Sequence, residues 1–104
     1  MEMHSEFLRL SARSMIRYSL AQLVYIFNDD SKFHKLERLN TTIAGKIARN
    51  LLVANNIIIL KSNFMLDKFA KLNAEKRIEI ENIGIDAFIE TYLSSEIQRL
   101  SEVA

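Results

Sequence analysis

Apolar side chains recur at spacings of three and four residues along almost the whole chain, a period that predicts helices. The first such stretch covers residues 6–27. It places Leu8, Ala12, Met15, Ile16, Leu23 and Phe27 on one face, with Arg9, Arg13 and Arg17 stacked beside them at four-residue intervals. Residues 20–27 are apolar nearly all round, interrupted by Gln22, so those turns are expected to be buried on several sides, inside a bundle or under a partner. Asn28, Asp29, Asp30 and Ser31 favour turns and caps over helix interior and end this element. A short second helix over residues 32–39 then starts from Ser31 as its cap and offers Phe33 and Leu36 to the core.

After a break at Asn40, Thr41 and Thr42, the positions Ala44, Ile47, Leu51, Ala54 and Ile58 form the seam of a helix packed against another helix. The pattern runs on through Met65, Phe69 and Leu72 but passes Lys61, Ser62 and Asn63, so residues 43–72 read as one long helix with a polar step or as two helices that meet. The β-branched residues flanking Asn55 and Asn56 also suit a hairpin, although the helical period on either side and the marginal stability of an isolated hairpin argue against it. The alternation from Arg77 to Glu81 is strand-like over too few residues to count. In the last helix Ile85, Phe88, Ile89, Tyr92, Leu93, Ile97 and Leu100 make a wide apolar stripe, with Asp86 near its amino end and Arg99 near its carboxyl end, as the macrodipole favours. With no proline and only Gly45 and Gly84 to interrupt helices, the expected fold is all-α: a compact bundle of four to five helices in one domain, residues 1–104.

Composition adds little to that picture: 49% hydrophobic and 26% charged residues are ordinary for a globular domain. Charge changes it more. The net charge is only +1, yet residues 1–77 carry 13 basic against 7 acidic side chains, whereas residues 78–104 carry Arg99 against Glu79, Glu81, Asp86, Glu90, Glu96 and Glu102. Such a split either brings nucleic acid to the basic part or pairs an acidic helix with basic ones inside a bundle. The lack of cysteine excludes disulfides and thiolate chemistry and suits a reducing compartment, so a cytoplasmic location is expected. The apolar run 20–27 is far shorter than the ~20 residues that cross a bilayer, and the polar cluster after it does not resemble a signal-peptide cleavage site. Three arginines on residues 6–27 offer limited attraction to a membrane surface.

Candidate chemistry is sparse. His4 and His34 are the only histidines, and no ordered nucleophile–base–acid set accompanies either. Asp30, His34 and Glu37 stand at helical spacing that brings three metal-capable groups to one side, but a dedicated site wants more histidine or thiolate, and a solvated face is expected. The acid pairs Glu79/Glu81 and Asp29/Asp30 carry no pocket signature, and neither glycine belongs to a phosphate-binding loop. The expectation is therefore a non-enzymatic protein with no cofactor, no metal and no small-molecule substrate.

Two functional readings remain. The first is a small regulatory or adaptor protein that lays apolar helix faces against itself, as a homodimer, or against another protein, with Leu20, Val24, Tyr25, Phe27, Ile57 and Ile59 as the candidate interface. The second is a helix-turn-helix-like DNA-binding regulator built on the basic segment 32–61. There Ala48 permits close helix approach, Leu51, Val53 and Ile58 are core, and Asn55, Asn56, Ile59, Lys61 and Ser62 lie on the recognition helix. Its nucleic-acid contacts are Lys32, Lys35, Arg38, Lys46, Arg49, Asn55, Asn56 and Lys61, types that read bases or hold phosphates. Two departures stand against it: Leu52 occupies the usual glycine of the turn, and Lys61 a usually buried position.

Overall fold

The stripe Leu8, Ala12, Ile16 and Leu20 repeats every four residues and is fully buried, which makes α1 (Glu2–Ala21) the spine of the computed structural model. The structure describes residues 2–36, 39–62 and 68–104. One π-helical turn, Gln22–Ile26, extends α1 through the apolar run and closes with the Phe27 N–H donating to the Gln22 carbonyl at 2.7 Å. The carbonyls this end leaves over are taken up by one side chain from far along the chain. Arg77 donates to Leu23 O at 2.8 Å, Val24 O at 3.2 Å and Phe27 O at 3.3 Å, and its Nε meets Asp30 Oδ1 at 2.6 Å. A cation at a helix carboxyl end is favoured by both the free carbonyls and the dipole.

Next come β1 (His34–Lys35), α2 (Ile43–Ala54), β2 (Ile58–Leu60) and β3 (Phe69–Leu72). The chain finishes in three short helices, α3 (Ala74–Ile83), α4 (Ile85–Tyr92) and α5 (Ser94–Val103). The fold is therefore mostly helical but not all-α, since a three-stranded antiparallel sheet in the order β1-β3-β2 accompanies the five α-helices of the described residues. The Cα radius of gyration, 13.1 Å, matches the ~13 Å of a single compact domain of this length.

Two local devices account for the departures from a bundle. Around Asp29, whose carboxylate accepts from both the N–H and the hydroxyl of Ser31, the chain makes a turn, so Ser31 does not cap a helix. The segment after it is strand β1, with Leu36 buried and Phe33 half-buried, while Glu37 and Arg38 lie outside the described residues. At the end of α2, Asn56 adopts a left-handed backbone with φ 56°. Its N–H donates to Val53 O at 3.0 Å and that of Ile57 to Leu52 O at 2.9 Å, the paired bonds of a Schellman stop. Buried Leu52 and Ile57 occupy the positions where that stop usually carries an apolar contact. The seam over residues 43–72 is thus broken at Asn55-Asn56. In place of the expected recognition helix, Ile58, Ile59 and Leu60 are strand; Met65 lies outside the described residues.

The core gathers Ile16, Leu20 and Leu23 of the first helix, Leu52 of α2, Ile58 and Leu72 of the sheet, and Ile80, Phe88, Ile89, Leu93 and Ile97 of the closing helices. Thr42 caps α2 by accepting from the Gly45 N–H at 2.9 Å, and Ala44, Gly45 and Ala48 are buried on its inner side. These small residues suit the close packing of α2 on α1. Asn73 caps α3, so the alternating stretch 77–81 is helical. Gly84, at φ 91°, breaks α3 from α4, and a second break at Leu93 divides the expected single last helix. No helix among the described residues is long and apolar enough to cross a membrane.

Candidate nucleic-acid interface

The strand register decides which side chains share a face. His34 opposes Ala70 and Lys35 opposes Phe69, while Ile58, Ile59 and Leu60 oppose Leu72, Lys71 and Ala70. Alternation along each strand then turns Ile58, Ala70 and Leu72 into the core, where they are buried, and Lys35, Ile59, Phe69 and Lys71 away from it. Phe33 and Lys61 continue the outer rows just beyond β1 and β2. The Nζ atoms of Lys71 and Lys61 lie 5.1 and 5.6 Å from the Phe33 ring centroid. An ammonium over a ring at the surface is worth only about 0.5–1 kcal/mol, so these lysines are held in place over half-buried Phe33 but not locked.

Beside the sheet, α2 exposes Lys46, Asn50 and Val53, with Arg49 half-buried and donating to Asn40 Oδ1 at 2.9 Å. An open groove of about 510 Å³ runs between this helix and β2, lined by Arg49, Asn50, Val53, Ala54 and Leu60. Residues 32–73 carry eight basic side chains and two acidic ones, Glu37 and Asp67, both outside the described residues. Among the described residues no carboxylate pairs with Lys46, Lys61, Lys68 or Lys71.

The arginine row of α1 behaves differently. Arg13 reaches Glu90 at 3.3 Å and Asp86 at 3.7 Å, Arg17 reaches Asp86 at 2.9 Å, and Arg9 lies 3.7 Å from Glu6. Such exposed pairs add little stability. They do neutralise the stripe: α4 takes up the charge of Arg13 and Arg17, Glu6 that of Arg9, and the lysines of α2 and the sheet are left in place.

The remaining sequence candidates fall into three groups. Lys32 is exposed and 3.8 Å from Asp29, and Lys35 and Lys61 stand on the outer sheet face, whereas Arg38 lies outside the described residues. Asn55 turns its amide back onto the Leu51 carbonyl at 2.8 Å and Asn56 makes the left-handed turn, so both serve the helix end. Val53, read as core, is 38% exposed. Of the candidate partner interface, Leu20, Val24 and Ile57 are buried within the chain's own core, and Phe27 stacks on His34 with ring centroids 4.5 Å apart. Tyr25 and Ile59 alone of those six are on the surface.

Among the acidic candidates, Asp29, Asp30 and Glu79 have partners within the chain. Asp30 is held by Arg77, while Glu37 lies outside the described residues. The Tyr92 phenol is held above its ordinary range chiefly by its hydrogen bond to Glu79, which also lies 3.8 Å from Lys76. The described residues contain no cluster of three or more metal-capable side chains. Phe33 and Phe69, read from the sequence as helical core and seam positions, stand half-buried on the outer sheet face, and Lys68, Lys71 and Arg77 are not among the sequence candidates; the alternation Phe69-Ala70-Lys71-Leu72 is the signal that could have found the sheet face. Protein-family models, curated proteins and solved structures contain no match to this chain.

Proposed function

We propose that the chain is a non-enzymatic nucleic-acid-binding regulator whose contact surface is α2 together with the small sheet. The observation that carries this reading is the division of charge: Lys46, Lys61, Lys68 and Lys71, on or beside α2 and β2–β3, have no carboxylate partner among the described residues, whereas Arg13 and Arg17 of α1 are matched by Asp86 and Glu90. Phosphate contacts of this kind supply most of the affinity of such proteins without reading sequence. The helix-turn-helix form of the reading is not carried forward, because the segment after α2 is a strand. Fluorescence anisotropy with short oligonucleotides at low salt tests it. The double variant Lys61→Gln/Lys71→Gln is expected to bind at least tenfold more weakly at unchanged thermal stability, and Arg17→Gln to bind as the parent does; equal binding by all three proteins refutes the reading.

A second reading, self-association, is favoured by one feature of α1. Phe7, 70% exposed, and Leu10 and Tyr18, each about half exposed, line a groove of about 520 Å³ on the side of the helix away from the core. Apolar surface of this kind marks interaction sites, and a second copy of the chain is its simplest occupant. Sedimentation of the parent against Leu10→Glu distinguishes a dimer held by this face from a monomer.

A further inference from the structure

The outer face of the sheet mixes two kinds of side chain in a regular pattern. Phe33 and Lys35 stand along β1, Phe69 and Lys71 along β3, and Ile59 and Lys61 along β2. Lys71 falls opposite Phe33, and Phe69 opposite Lys35, when the register of β1 and β3 is continued by one pair. Phe33 and Phe69 are then diagonal neighbours on adjacent strands, roughly 7–8 Å apart along the backbone.

We infer that this face is a stacking platform for single-stranded nucleic acid, with Phe33 and Phe69 each receiving an unpaired base and Lys61 and Lys71 meeting the phosphates between them. The inference rests on the nucleic-acid reading above and deepens it by naming the strand state. Bases in a duplex keep their faces inside the stack, so aromatic side chains on the outer face of a sheet are reached only by unpaired bases. Charge complementarity points to a polyanion, since Lys61 and Lys71 on this face have no carboxylate partner among the described residues.

The position of the ammonium groups over Phe33 is compatible with this use. A base stacked on an aromatic ring changes affinity by roughly 5- to 150-fold, whereas an exposed ammonium over the same ring accounts for roughly two- to fivefold. Exchange of the lysine for a base is therefore downhill, and the released ammonium stays within reach of the adjoining phosphate. Ile59 adds an apolar surface on the third strand without a ring on which to stack.

The test uses the full chain and oligonucleotides carrying 2-aminopurine, as single-stranded DNA, single-stranded RNA and the matching DNA duplex. Expected are tighter binding of at least one single strand than of the duplex, quenching of 2-aminopurine on binding, and about tenfold weakening in Phe33→Leu and in Phe69→Leu. Phe33→Tyr, which keeps the ring, is expected to bind as the parent does, with thermal unfolding reporting that each variant is folded. Comparison of the DNA and RNA strands shows which sugar the platform takes. If the leucine variants bind as tightly as the parent while Lys61→Gln/Lys71→Gln weakens, or if the duplex binds best, the platform is refuted and the nucleic-acid reading stands. If no oligonucleotide binds at low salt, both fall.

Discussion

Arg77 ties α3 to the carboxyl end of the first helix, and its replacement by methionine tests how much that tie contributes. The side chain is 11% exposed and serves three backbone carbonyls and Asp30, which is 31% exposed. Hydrogen bonds to a charged group contribute about 1.5–3 kcal/mol each, but those made by one guanidinium are not additive. Breaking a fully buried ion pair costs about 3–5 kcal/mol; partial exposure of Asp30 lowers that share. A loss of about 3 kcal/mol is expected for Arg77→Met, a large part of the ~5–15 kcal/mol that stabilises a domain. Arg77→Lys keeps a charge beside Asp30 but presents a point donor where the site needs a planar fork, so about half the loss is expected. Urea unfolding reads the effect as a lower midpoint at unchanged slope. The reasoning fails if Arg77→Met lies within about 0.5 kcal/mol of the parent, or if lysine fully replaces arginine.

Three further outcomes follow from the fold. Phe88→Ala removes one of the largest fully buried side chains and is expected to cost about 3–5 kcal/mol; an unchanged denaturant midpoint contradicts its placement in the core. Gly84→Ala meets nothing within 4 Å, yet φ 91° is a backbone conformation that alanine resists, so a loss of about 1–3 kcal/mol is expected from strain alone, and an unaltered melting temperature contradicts it. Asp29 is held below the usual carboxylate range chiefly by the Ser31 hydroxyl. A lowered carboxyl stabilises the fold above its unfolded value, and that contribution disappears as pH falls through the folded value. By NMR titration Ser31→Ala is expected to move the Asp29 transition upward; no movement contradicts the assignment.

The helical period exposed the parts of this fold that are long and repetitive. Leu8, Ala12 and Ile16 on α1, and Ile85, Phe88, Ile89 and Ile97 on the closing helices, are core where their spacing places them. The sheet was hidden for a physical reason. Its strands are two to four residues long, too short for a period of two to stand out, and β1 is fixed by pairing with β3 some 35 positions away. Ile58 fits a helical seam and a buried strand equally well; the left-handed stop at Asn56, one of several conformations open to asparagine, decides between them. The basic candidates Lys35, Lys46 and Lys61 were visible as composition, whereas their aromatic companions Phe33 and Phe69 required the register.

The claim that matters most is that lysines on α2 and the sheet neutralise phosphates, and a salt titration of oligonucleotide binding addresses it. Release of counterions makes the logarithm of affinity fall linearly with that of salt, by about 0.7 per phosphate contact on a single strand. Contacts from Lys46, Lys61, Lys68 and Lys71 predict a slope of about −3 for the parent and about −1.5 for Lys61→Gln/Lys71→Gln. A flat titration, or the same slope in both proteins, contradicts the assignment of this face to nucleic acid.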